Sequence, residues 1–388
     1  HVAAIIDGTD GTQADRLKIY LNGTQITSWA TDTQWSSVAN IAALASGNDI
    51  IVGAGQVGSA SITLHWEGYL AETVYLDGTA AAIGDLGEFD SDSPTIWKPK
   101  DVSGLTFGNN GFYCDYEASG NLGNDANGGT DLTETNLAAG DQSTDTPTLN
   151  YNSLNPLTNY GDGTISEGNT RWQGDTVEYH HCGTTFAFST GKWYFEMKHA
   201  QTRSKVWMIA LHDINNTMYY KTDDIWFATS PNSTGTSNFY LQAQNTNHAT
   251  NRNYVIRKYV DQTQSTLTST GGNASDLIPV GILGVYLDLD NGRIHYYNNG
   301  VALDTSDADA SDGGYGDIPA GTYSFSITGT SAPDAGDDGN LLTNFNFGSP
   351  NENISIASGN TDANGYGNFE YSTTVGSVNY YAMNSANL

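Results

Sequence analysis

Cysteine is almost absent from this chain. Two residues, Cys114 and Cys182, among 388 exclude the dense disulfide framework with which small secreted domains make up for thin cores. A bridge between them would close a loop worth about 4 kcal/mol in chain entropy. Sequence separation does not bring two Cα atoms together, so a pair of buried thiols is the preferred reading. Positive charge is equally scarce: 14 Lys and Arg face 43 Asp and Glu, a formal charge of -29. A field of that sign repels phosphate backbones, which excludes DNA and RNA as partners. No apolar run approaches the roughly 18 residues of a membrane-spanning helix, and no charged-then-apolar leader opens the chain, so no membrane insertion is expected. Runs of Ala, Leu, Glu and Lys at the helical period are missing. So are the serine-hydrolase elbow, the zincin helix and the phosphate-cradling glycine loop.

What remains is rich in 44 Gly and 23 Tyr, with 38% hydrophobic and only 15% charged residues. With abundant Asn, Thr and Ser, this mixture suits short strands joined by turns, so an almost all-β chain is expected. Its length allows two to three domains at about 150 residues each. The acids are scattered through loops. Such a surface repels itself in dilute buffer, whereas salt at marine strength shortens screening to roughly 4 Å. A saline, extracellular setting fits; plain solubility explains the charge as well.

One hairpin can be read from letters. In Gly284-Val-Tyr-Leu-Asp-Leu-Asp-Asn-Gly-Arg-Ile-His-Tyr-Tyr-Asn-Asn-Gly-Val-Ala-Leu303, Val285, Leu287 and Leu289 recur with period two, and Tyr286, Asp288 and Asp290 fall on the other side. One apolar and one wet face follow. Asn291-Gly292 predicts a type I′ turn, and Asn299-Gly300 a second turn. Asp288 and Asp290 are expected to stabilise this wet face and its turn. The run, with Gly191-Lys-Trp-Tyr-Phe-Glu-Met197 upstream, resembles the hairpin and "GKWYFE" strand of SPRY-type, concanavalin-like β-sandwiches. Further strands are expected at 177–188, 192–197, 206–211, 225–228, 239–242, 254–258, 282–289, 293–297, 321–328 and 342–347, with Trp193 and Trp207 in the core.

Near the start, His1-Val-Ala-Ala-Ile-Ile-Asp-Gly, Arg16-Leu-Lys-Ile-Tyr-Leu-Asn-Gly23, Ile50–Gly55 and Trp66–Leu76 follow an order that resembles the C-terminal half of a laminin-G-like jelly roll. A lone half-sandwich would leave faces and edges uncovered, so its earlier strands are expected upstream of His1, in a larger protein. Between the two strand-rich parts, residues 121–145 read as a polar connector. Gly87-Glu-Phe-Asp with Ile96-Trp-Lys-Pro-Lys100, Phe107-Gly-Asn-Asn-Gly-Phe-Tyr-Cys-Asp-Tyr-Glu117, Asp145-Thr-Pro-Thr148 and Asn152-Ser-Leu-Asn-Pro-Leu157 together resemble an assembly in virion structural proteins of tailed phages of marine bacteria. That resemblance implies an all-β protein of two antiparallel, jelly-roll or concanavalin A-like sandwiches joined by a polar connector. Residues 1–98 would be the laminin-G-like part, 99–150 the connector with a short strand, and 151–388 the SPRY-like sandwich.

Chemistry-bearing clusters are few. A retaining glycosidase needs two carboxyl groups about 5 Å apart, and Glu88-Phe-Asp90-Ser-Asp92 only loosely resembles the laminarinase-type motif. No catalytic residue is assigned, and the chain is not expected to be an enzyme. His180, His181 and Cys182 are metal donors by type, but strand neighbours point to opposite faces, so a mixed core and surface role is preferred. Asp307, Asp309 and Asp312 begin like a calcium-binding loop. Asp312 stands where glycine is required and Ile318 where the bidentate Glu belongs; calcium is the one cofactor considered, against solvated acidic loops there and at Asp334-Ala-Gly-Asp337-Asp338. Trp172, Tyr219, Tyr220, Trp226 and Tyr240 are aromatics in polar surroundings and are the glycan-stacking candidates, each weighed against packing between sheets. The function expected is non-catalytic: a fibre or surface-decoration protein on a virion, binding host-surface polysaccharide, other virion proteins and further copies of itself. A purely architectural subunit is the alternative, and a polysaccharide-degrading enzyme is less favoured.

Overall fold

The computed structural model describes the chain except residues 31–48, 58–60, 67, 92, 144, 147–148, 160–162, 175–178, 200–205, 215–236, 248–250, 261–262, 270–280, 304–314, 316–317 and 331–340. The chain is nearly all-β and divides into two compact units, His1–Gln142 with Thr146–Thr148, and Ser143–Asp145 with Leu149–Leu388. Among the described residues no helix is long and apolar enough to cross a membrane.

In the first unit the strands are β1 Val2–Ile6, β2 Leu17–Leu21, β3 Thr24–Gln25, β4 Gly55–Val57, β5 Ser61–Thr63, β6 Thr73–Tyr75, β7 Gly87–Phe89, β8 Trp97–Pro99 and β9 Phe112–Cys114, with one helical turn, α1 Ile83–Leu86. They form one three-stranded sheet, β1-β2-β3, and three separate pairs, β4-β5, β6-β9 and β7-β8. Asn22 and Gly23 both take positive φ, 47° and 74°, the signature of a type I′ turn whose twist suits the β2-β3 hairpin. Of residues 50–55 only Gly55 enters a strand, β4, and among the described residues of 66–76 only those of β6 do. Part of the expected connector is folded into this unit. The backbone of β9 pairs with β6, and the buried Asp125 carboxylate accepts backbone N–H bonds from Tyr113, Asn127 and Gly129.

The second unit contains β10 Thr164–Ser166, β11 Arg171–Gly174, β12 Tyr179–Gly183, β13 Lys192–His199, β14 Val206–Asp213, β15 Ser237–Asn247, β16 Asn251–Val260, β17 Thr263–Ser269, β18 Ile282–Asp288, β19 Arg293–Asn298, β20 Val301–Ala302, β21 Tyr323–Thr330, β22 Leu341–Asn346, β23 Thr374–Val375, β24 Val378–Asn379 and β25 Tyr381–Ala382. One sheet runs β10-β11-β22-β13-β18-β19-β20, with β25 beside β13; the other runs β12-β21-β14-β15-β16-β17. In the first, Trp193, Phe195 and Met197 stand opposite Leu287, Val285 and Leu283. In the second, Ile209 and Leu211 stand opposite Ile327 and Phe325. These residues share one buried cluster, and Phe195 meets Phe325 across the layers at 4.8 Å between ring centroids. Two sheets interleaving apolar side chains make a β-sandwich. Trp193 is in the core as expected, and the side chain of Trp207 lies outside the description.

Two features of the hairpin differ from the sequence reading. Asp288 pairs with Arg293, leaving a four-residue loop in which Gly292 has φ +63° and Asn291 has no positive φ. The type I′ turn is instead at Asn299-Gly300, where both φ values are positive, 49° and 75°, and Asn298 pairs directly with Val301. Of the expected wet face, Tyr286 and Asp288 are dry, since every residue of β18 is buried, while Asp290 beyond it is exposed. Residues 349–388 fold back over that face. Tyr286 donates its hydroxyl proton to the Ser372 carbonyl at 2.6 Å, and Tyr194 packs edge-on against Phe369.

Candidate functional site

The covering segment is shaped by its own polar residues. Asp362, 5% exposed, accepts at Oδ1 from the backbone N–H of Asn364 and Tyr366, both at 2.9 Å. At Oδ2 it accepts from Ala382 N–H at 2.9 Å and Asn387 Nδ2 at 2.7 Å. Asn364 Nδ2 in turn donates to Asn387 Oδ1 at 2.8 Å. One carboxylate therefore fixes a loop, the start of the last turn and two surface amides. Nearby, β23 and β24 turn at Gly376, and the Thr374 hydroxyl meets Asn379 Oδ1 at 3.0 Å. β25 lies parallel to Trp193 and Tyr194 of β13, which places Tyr381 beside the strand's beginning.

On the sheet side stand Lys192 and the 289–292 loop. Lys192 Nζ is 2.5 Å from Asp288 Oδ1 and 3.4 Å from Asp290 Oδ2, and Asp290 Oδ1 accepts from the Gly191 N–H at 2.8 Å. Burial pushes the Asp288 carboxyl up, but hydrogen bonds from Lys192 and Asn291 outweigh it and hold the group below the ordinary carboxylate range. Asp288 and Asp290 thus hold the loop onto β13. Between these two sides opens a shallow cleft of about 610 Å³, lined by Gly191, Lys192, Trp193, Asp290, Asn364, Ser377, Val378, Asn379, Tyr381 and Asn387. Amide groups beside a phenol ring suit hydrogen bonding to, and stacking on, a polyhydroxylated ligand. Asp288 and Asp290 both face the same ammonium.

The residues named from sequence fall elsewhere. Trp172 is a correction: it is fully buried on β11, its indole N–H given to Asn159 Oδ1 at 3.2 Å, because a large ring with one polar handle gains more between packed strands than in water. Tyr219, Tyr220 and Trp226 lie outside the described residues, as does the expected strand 225–228. Tyr240 is on β15, and its side chain is outside the description. Asp307, Asp309 and Asp312 also lie outside it. Among the described residues no group of three or more His, Cys, Asp or Glu gathers where it could hold a metal ion. Glu88 and Asp90 are tied by Lys100 and Lys98 at 3.1 Å and 2.8 Å across the β7-β8 hairpin, while Asp92 is outside the description. Cys114 and Cys182 are free and buried, and desolvation pushes their thiols up to about 11 and about 12. The cleft residues Lys192, Asn364, Asn379, Tyr381 and Asn387 escaped the sequence reading. The Asn and Tyr density after residue 360 was the available signal.

No protein-family model and no curated protein matches the chain. Among solved structures it is similar to the TRIM65 PSpry domain, at TM-score 0.32 and 10% identity over 50% of this chain and 88% of that one. It is also similar to the SPRY domain of human HERC1, at TM-score 0.30 and 8% identity over 52% of this chain and all of that one.

Proposed function

We propose that the chain is a non-catalytic attachment protein of a phage virion, a fibre or surface-decoration component that works outside the cell and binds host-surface polysaccharide through the cleft beside Tyr381. The observation that carries this reading is the cleft itself, where Asn364, Asn379 and Asn387 surround a half-buried Tyr381. Sugar recognition combines ring stacking with amide hydrogen bonds, and this lining offers both. The marine phage setting and the laminin-G-like character of residues 1–98 rest on the sequence resemblance, with the charge of -29 in keeping with a saline medium. The test is retention of the intact chain on immobilised host-surface polysaccharide. Retention is expected, and Tyr381→Ala is expected to weaken it about tenfold; absence of retention, or indifference to Tyr381→Ala, defeats the reading.

One observation favours the architectural alternative for the first unit. Val2, Leu64 and Trp66 of this unit are 72%, 74% and 61% exposed, apolar side chains that a protein contact would remove from water. In that reading this unit packs against neighbouring virion proteins or further copies of the chain. Cross-linking within intact particles would place those residues at a protein contact.

A further inference from the structure

We infer that the cleft accepts uncharged polysaccharide and turns acidic polysaccharide away, with Asp290 setting that preference; this deepens the binding reading above and rests on it. Among the described residues that line the cleft, Lys192 is the one cation. An acidic sugar would have to recruit it, yet its ammonium already faces Asp288 at 2.5 Å and Asp290 at 3.4 Å. The Asp288 side chain is only 5% exposed, so drawing Lys192 toward a ligand would leave a buried carboxylate unpaired, which is costly. The Asp290 side chain is 48% exposed. Two carboxylates against one ammonium leave a net negative charge at the cleft wall, and Asp290 is the part of it that a ligand meets. The remaining polar lining, Asn364, Ser377, Asn379 and Asn387, is neutral and can give and accept hydrogen bonds with hydroxyl groups. A carboxylate on the ligand about 4 Å from Asp290 would be disfavoured about fivefold in water, and less as salt is added.

The experiment passes the intact chain over neutral polysaccharides (dextran, galactomannan and agarose) and over carboxymethylated forms of the same polymers. Any neutral polymer that is retained should exceed its carboxymethylated form about fivefold at low salt, and the gap should narrow as salt screens Asp290. Asp290→Asn should narrow it at low salt. Ser377→Lys, on the exposed hairpin tip, should raise retention of the carboxymethylated forms without relying on how the 289–292 loop tolerates change. Equal or stronger retention of carboxymethylated polymer by the unaltered chain overturns the inference while leaving the binding reading intact. The same holds for a neutral-to-acidic ratio that neither substitution moves. Retention of none of these polymers overturns this inference, and the binding reading falls with it only if immobilised host-surface polysaccharide is not retained either.

Discussion

Glu196 is the residue on which the covering segment is fastened. It is fully buried on β13 and accepts four hydrogen bonds. Tyr194 Oη donates at 2.9 Å, Asn346 Nδ2 at 3.0 Å, and the backbone N–H groups of Glu370 and Tyr371 at 3.1 Å and 2.8 Å. Burial pushes its carboxyl up, and the four donors pull it back without cancelling that effect. Glu196→Ala strands all four donors, so a loss of about 3–5 kcal/mol in unfolding free energy is expected from denaturant titration. His212 on β14 gives a pH effect of definite sign. Desolvation lowers its folded value from 6.5 to about 4, so below pH 6.5 the unfolded chain takes up a proton that the folded chain refuses. Stability from this group is full above pH 6.5 and is lost as pH falls toward 4, by about 3 kcal/mol at most. Thermal unfolding across that range should show the loss, and His212→Gln should flatten it. For Cys114 and Cys182, burial together with raised thiol values means that a thiol reagent at neutral pH should label neither until the chain is unfolded.

At the scale of elements, the segment after Gly348 is a layer of the fold. It supplies β25 beside β13 and the rings of Phe369 and Tyr380 against Tyr194 and Tyr286. Ending the chain at Gly348 would expose Glu196, Tyr194 and Tyr286 together. Such a variant is expected to lose the cooperative unfolding transition of the second unit, read by near-ultraviolet circular dichroism. The hairpin turn at Asn299-Gly300 offers a smaller probe. Gly300 has φ +75°, and a Cβ there would lie 2.8 Å from the Tyr371 ring, so Gly300→Ala should cost about 1–2 kcal/mol. These elements also mark what the sequence could tell. Strands β13, β18, β19 and β22 were legible because period-two apolar residues such as Trp193, Phe195 and Met197 leave little choice of face. The burial of Tyr286 and Asp288 was not, because a polar alternation reads the same whether water or another stretch of chain covers it. The cleft was illegible for the same reason: it joins Lys192 to Asn387 across almost the whole second unit, and local spacing carries no trace of that approach.

At the scale of the whole molecule, charge dominates. A net charge of -29 repels itself over distances set by the ionic medium, and compaction brings those charges closer than the unfolded chain does. The described ion pairs are few and local, such as Lys192 with Asp288 and Asp290 or Lys98 with Asp90, so they do little against a field spread over both units. Salt acts on that field. Raising NaCl from about 20 mM to about 0.5 M shortens the Debye length from about 20 Å to about 4 Å, which screens the distant repulsions and spares the close pairs. The thermal midpoint is therefore expected to climb by several degrees over this range, and to climb equally in KCl because the effect belongs to ionic strength. A midpoint that stays level, or that rises with one cation and not the other, would show that specific ion contacts outweigh diffuse repulsion in holding the chain folded.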